Sequence, residues 1–172
     1  MQNSGNPSII TDTPRLLLRA LTPEDAAFVL KLTTDAAFIT NIGDKGLRNE
    51  DDARRFIEEG PWTAQQKPGY GQFAIELKPS GVPAGVCGLL FRENLDVTDV
   101  GFALLAEHRG RGYAFEAAYA VMEYGRSKLH LDEIVGLTSR ENVSSIRILE
   151  KLGMRFDRLV KMGAKSDVLL YR

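Results

Sequence analysis

The chain has little of several things, and each shortage excludes a class of function. It has one cysteine, Cys87, in 172 residues. An intramolecular disulfide and a cysteine-rich metal site are therefore excluded. Its two histidines, His108 and His130, are far apart and have neither an HExxH nor a CxxC companion, so no metal is expected. Net charge is only −1, which gives no bulk attraction to nucleic acid or to an anionic membrane surface. No apolar run is long enough to cross a bilayer. The opening stretch MQNSGNPSIITDT has neither a basic segment nor an apolar one, so a secretory signal is not expected and a cytoplasmic location is. What remains is an ordinary globular mix, 44% hydrophobic and 26% charged, at a length that fits one domain.

Residues 1–12 are polar and read as a flexible N-terminus, leaving 13–172 as the single domain. RLLLRAL (15–21) reads as a strand. TPEDAAFVLKL (22–32) reads as a helix, with Thr22 as N-cap and Pro23 at the first helical position. NEDDARRFIEEG (49–60) is a second helix, closed by Gly60. QFAIELK (72–78), PAGVCGLLF (83–91) and VTDVGFALL (97–105) are strands of an antiparallel meander, separated by PSG and RENLD turns. A long helix follows over 111–129. It has one apolar stripe at Phe115, Ala118, Met122, Gly125 and Leu129, and a second at Ala114, Ala117, Val121 and Tyr124. EIVGLT (133–138) is a strand and NVSSIRILEKLGM (142–154) a short helix ended by Gly153. Two strands joined near Gly163 complete the chain, and the last, 165–171, is read as an exposed edge that would permit a dimer. The strand before the long helix and the strand after it form a β-α-β unit, which makes them parallel.

The stretch AEHRGRGYAFEA (106–117) puts two glycines and two arginines at the start of that helix. The first helical amides have no carbonyl partner, and the macrodipole adds about half a positive charge there. Gly110 and Gly112 let an anion approach the backbone, and Arg109 and Arg111 add charged donors. The corner suits a pyrophosphate; a plain glycine turn with solvated arginines is the alternative reading. It is neither of two well-known phosphate loops. The dinucleotide fingerprint needs a small residue where Phe115 stands, and GxxxxGK[ST] is absent.

RGRGYAFEA resembles the R-x-x-G-x-[GA] signature of the GNAT superfamily of N-acetyltransferases, with Arg109, Gly112 and Ala114 at the defining places. NVSSIRILEKLGM resembles the N-x-x-S…EKLGF segment of the same family, with Met154 where phenylalanine is usual. DVGFAL (99–104) is similar to the strand that precedes the signature. The subgroup most similar contains the ribosomal-protein N-terminal acetyltransferases. The resemblance implies an α/β fold: a twisted, mostly antiparallel central sheet, splayed between two adjacent parallel strands, with helices on both faces. It implies acetyl-coenzyme A as donor and a primary amine as acceptor, in a protein that is a monomer or homodimer. The pyrophosphate would lie on the amides of Gly110, Arg111, Gly112, Tyr113 and Ala114, beside Arg109. The pantetheine arm would pair with the strand at Phe102, Ala103 and Leu104, as an added strand satisfies an open edge. Asn142 would cap its helix and bond the pantetheine arm. Ser145 would donate to the departing thiolate.

Acceptor chemistry constrains the base. Neutralising a lysine amine at pH 7 costs roughly 4.6 kcal/mol, an α-amine about 1. An α-amino acceptor, such as a protein N-terminus, needs only water or a weak carboxylate, whereas a small-molecule amine of higher pKa needs more. Asp99 is the candidate carboxylate, acting through water; a surface-facing strand carboxylate is its ordinary use. Where some relatives carry a glutamate, this chain has Leu137 and Thr138. Leu104 offers an amide for the oxyanion. Cys87 is expected in the core, His108 solvated, and Glu116 bonded to nearby backbone. Trp62 and Tyr70 are expected to shape the acceptor site, within a 60–71 connection that has the composition of a lid and reads equally as a plain connection. Two other readings stand beside the enzyme. One is a coenzyme A-binding sensor without turnover. The other is a nucleotide-binding protein, which fails on its motifs.

Overall fold

The computed structural model of the chain describes residues 7–60, 62, 68–162 and 167–172. Strands β1 (Ile9–Asp12), β2 (Leu16–Arg19), β3 (Gly71–Leu77), β4 (Val82–Arg92) and β5 (Val97–Leu104) form one antiparallel sheet in sequential order. A second sheet has the order β6 (Gly136–Thr138), β8 (Asp167–Tyr171), β7 (Phe156–Lys161). The helices are α1 (Ala26–Thr33), α2 (Ala36–Asn41), α3 (Glu50–Glu59), α4 (Tyr113–Lys128) and α5 (Val143–Lys151). None among the described residues is long and apolar enough to cross a membrane.

Strand pairing sorts the side chains. Opposed residues on neighbouring strands share a face, so Phe73, Cys87 and Phe102 lie on one side and Ala74, Val86 and Ala103 on the other. The first face packs on α4, where Phe73, Ile75, Cys87, Leu89 and Val100 join Ala114, Ala117, Ala118, Val121 and Met122 in the largest apolar cluster. The other face carries α1–α3 through Val29, Leu32, Phe38, Ile57 and Trp62. Burying one such large apolar side chain contributes about 1.5–3 kcal/mol. The two clusters hold helices on both faces, as expected.

The two sheets meet at one point. Val100 donates its N–H to the Val135 carbonyl and Val135 donates to Thr98, both at 2.9 Å, around a parallel bridge between Asp99 and Val135. Beyond it β5 runs on through Gly101–Leu104 while β6 pairs with β8 alone. The sheet is therefore split between two parallel strands.

Four expectations change. Residues 9–12 are not loose: Ile9–Asp12 pairs with β2 as an edge strand. A helix α2, capped by Asp35, follows α1 and was not anticipated. The last strand, β8, is not an edge, because it is paired on both sides; the outer strand is β7, with Phe156 and Leu159 exposed. Phe115 is only half-buried, resting against Tyr119 and under the Lys151 ammonium rather than in the core. The turn near Gly163 and half of the 60–71 connection, 61 and 63–67, lie outside the described residues.

Candidate active site

The bend before α4 is built from backbone conformation. Gly110 and Gly112 have φ of 73° and 80°, a region that costs a residue with a Cβ roughly 1–2 kcal/mol. A Cβ on Gly110 would meet nothing within 4 Å, so the space beside it is open. The first bond of the helix runs from the Glu116 N–H to the Gly112 carbonyl at 3.1 Å. The amides of Tyr113, Ala114 and Phe115 therefore precede any helical partner and point out of the helix start.

The arginines around this bend have distinct placements. Arg109 Nε donates to the Leu104 carbonyl at 3.0 Å and its Nη2 to Asp35 Oδ1 at 2.6 Å. It thus fastens the bend to the end of β5 and to the cap of α2. Burial pushes the Asp35 carboxyl up, but Arg109 and the amides of Phe38 and Ala37 outweigh that and hold it below the usual carboxylate range. Arg111 is exposed, and its carbonyl accepts from Arg15 Nη1 at 3.0 Å. Arg15, which sequence reasoning did not single out, lies 4.7 Å over the Tyr113 ring and pairs with Glu116 at 2.6 Å. Glu116 also accepts the Arg15 N–H at 3.2 Å and the Thr13 hydroxyl at 2.5 Å. Its expected bond to backbone is present.

A cleft of about 670 Å³ runs through the split sheet. Phe102 and Ala103 line it from β5, Leu137 and Thr138 from β6, and Asn142 and Ser145 from α5. Its other wall carries Phe38, Trp62, Tyr70 and Gln72. Leu104 and the Arg109–Ala114 bend sit outside this lining, at the next corner of the fold. Peptide groups alternate along a strand, and the Val100 N–H points to β6. The N–H and carbonyl of Phe102 and the N–H of Leu104 consequently face the gap, where β6 no longer pairs with them.

Asn142 caps α5, accepting the Ser145 N–H at 3.2 Å and the Ser144 hydroxyl at 2.9 Å. The Ser145 side chain lines the cleft, half-buried. Asp99 is not surface-facing: 3% of it is exposed. Arg92 Nε donates to its Oδ1 at 2.5 Å. Burial pushes this carboxyl up, against the pull of Arg92. Cys87 is fully buried, and burial pushes its thiol up, which suits a core residue and not a nucleophile. His108 is half-buried rather than solvated, with a buried Nδ1 that has no partner.

Two further groups escaped the sequence reading. Gln72 and Thr138 are each 6% exposed, and among the described residues the Gln72 Oε1 and Thr138 Oγ1 have no hydrogen-bond partner. Gln72 left one trace: a polar side chain at the start of a strand whose first five residues are all buried. Such positions are costly unless something bonds them.

An acetyltransferase (GNAT) domain model matches residues 15–155. The uncharacterized protein YkkB of Bacillus subtilis is 30% identical over 165 residues, covering 93% of each chain. A solved acetyltransferase of the GNAT family from Bacillus anthracis superposes with a TM-score of 0.77 at 25% identity, covering 94% of this chain and 95% of that one. The fold also matches RimL, a ribosomal L7/L12 α-N-protein acetyltransferase solved with coenzyme A, at a TM-score of 0.80 and 17% identity over 95% and 96% of the two chains. The split between β5 and β6, the glycine bend that opens α4 and the capped α5 all lie inside the matched span, and the chain belongs to the acetyltransferase (GNAT) family, as an acetyl-transferring acyltransferase.

Proposed function

We propose that the protein transfers the acetyl group of acetyl-coenzyme A directly to a primary amine, either a protein N-terminal α-amine or a small-molecule amine. The observation that carries this reading is the unpaired β5 edge facing a split in the sheet. The residues present fit the donor. Helix-start amides and the open space beside Gly110 suit a pyrophosphate, with Arg111 and Arg109 near it. The free peptide groups of Phe102 and Leu104 suit the two amides of a pantetheine arm, and Asn142 and the unpartnered Thr138 hydroxyl line the same gap. The donor supplies an activated acyl carbon.

The remaining chemistry falls to the chain. The amine nitrogen forms a bond to the acyl carbon and the carbon–sulfur bond breaks. The amine proton passes to Asp99 through water, and the sulfur takes up one proton under a hydrogen bond from Ser145. Among the described residues, Asp99 is the one acidic side chain lining the cleft, and it is already engaged by Arg92. That lining supports an acceptor with a single amino group more than a polyamine, whose further ammonium groups would find no carboxylate. The reading describes a cytoplasmic enzyme, monomeric or homodimeric.

Thiol release from acetyl-coenzyme A tests it against serine amide, phenylalanine amide, a Ser-Ala dipeptide amide and spermidine. Turnover with the first three, exceeding that with spermidine, is the expected result. Tight binding of the donor by calorimetry with no turnover on any amine would instead identify a coenzyme A-binding sensor. Absence of binding would overturn both.

A further inference from the structure

The acceptor side of the cleft contains a polar group that the mechanism above does not use. Gln72 lies on β3 opposite Gly88, which in turn lies opposite Gly101 on β5. Its side chain crosses the sheet far enough that a Cβ placed on Gly101 would lie 2.8 Å from Gln72 Nε2. Gly101 is the first β5 residue beyond Val100, whose N–H makes the last bond to Val135. The carboxamide therefore rests where the two sheets separate. The absence of a side chain at 101 is what admits it there.

Gln72 is 94% buried, and its Oε1 has no donor among the described residues. A buried carbonyl oxygen without a donor is normally avoided, and where one persists it needs a ligand or a reason. The same sheet face carries Asp99, two residues before Gly101. This is the face covered by Phe38 and Trp62, away from α4. Two hydrogen-bond acceptors thus share one wall of the cleft. A neutral primary amine has two N–H bonds and one lone pair. With one N–H given to Gln72 and the other directed to Asp99 through water, the lone pair is free to address the split.

We infer that Gln72 is a substrate-binding residue, its Oε1 accepting an N–H of the acceptor amine and holding the nitrogen for attack. The inference rests on the acetyl-transfer reading. It concerns the amine alone, so donor binding should not register it.

The test uses the full chain, acetyl-coenzyme A and whichever of the four amides and amines above shows the highest kcat/KM. Gln72→Met keeps the length of the side chain and removes the carboxamide. The Met variant should raise the amine KM at least about tenfold. Its calorimetric affinity for acetyl-coenzyme A should be unchanged. Gly101→Ala, which displaces the carboxamide, should raise the amine KM in the same way and serves if the Met variant fails to fold. An unchanged amine KM in Gln72→Met, or a matching loss of donor affinity, overturns the inference. A wild-type protein that binds the donor but acetylates no amine overturns the functional reading itself.

Discussion

Asp99 places a carboxylate with 3% of its surface exposed against an arginine whose own side chain is about one-third exposed. Burial raises its pKa, so the fold disfavours the ionised form that a base requires. The sign follows. Between the unfolded value of about 3.9 and the raised folded value, the native state binds the extra proton, so this group lowers stability as pH rises. Asp99→Asn should consequently leave the melting temperature at pH 7 equal or higher. Its kcat/KM should fall by about 10²–10⁴, the usual share of general base catalysis. In the wild type kcat/KM should climb with pH through a value above the ordinary carboxylate range, and the variant should lack that limb. If Ser145 donates to the leaving sulfur as proposed, Ser145→Ala should lower kcat by roughly tenfold with the amine KM unchanged; steady-state kinetics on the same amine decides it. Asp99, Asn142 and Ser145 could be named as candidates from the sequence because each occupies a fixed place in a local motif, and the structure brings all three to the cleft. Gln72 and Thr138 were not, because what distinguishes them is the absence of a partner, and that is a property of packing.

Among the elements, the long and strongly patterned ones could be read directly. Helix α4 and the β3–β4–β5 meander fall within a few residues of their expected limits. The missed elements are short. Strand β1 has four residues, too few for alternation to show. It forms because β2 pairs with it and because Glu116 on α4 holds Thr13 and Arg15 at the turn between them. Helix α2 has six residues, below the length at which local propensity sustains a helix. Its support comes from the Asp35 cap, accepting from Ala37 and Phe38 at 3.0 and 3.2 Å, and from Arg109. The start of α4 combines both lessons, since the glycines were visible but their conformation was not. Gly112→Ala meets φ of 80° and an Arg15 nitrogen 3.3 Å from the new Cβ. It should cost about 1–2 kcal/mol in chemical denaturation. If the bend holds the pyrophosphate, affinity for acetyl-coenzyme A by calorimetry should also weaken by about tenfold or more.

At the scale of the molecule, the order β6-β8-β7 could not be read from the chain, because the register of three short strands is set by distant partners. The means by which α1 is joined to the sheet was equally hidden. Arg19 on β2, 9% exposed, donates from both Nη atoms to Asp25 at 2.8 and 2.9 Å and from Nε to Glu76 on β3 at 2.7 Å. Asp25 immediately precedes α1 and also accepts the Thr22 N–H at 2.9 Å. One buried guanidinium therefore ties two strands to the helical layer that walls the cleft. Burial pushes the Asp25 carboxyl up, but the bonds from Arg19 and Thr22 prevail and leave it below its ordinary value. A depressed carboxyl contributes stability that is present above the unfolded pKa of about 3.9 and is lost as pH falls through the lower folded value. Asp25→Ala leaves a buried cation with Glu76 alone and should cost about 3 kcal/mol at pH 7. Other ion-paired carboxylates, Asp35 and Glu116 among them, are also depressed, so acid will destabilise both proteins. Urea denaturation at pH 7 and pH 3 separates their shares: the gap between wild type and Asp25→Ala should narrow at the lower pH. A gap of equal size at both values would mean that Asp25 supports α1 through packing rather than through its charge.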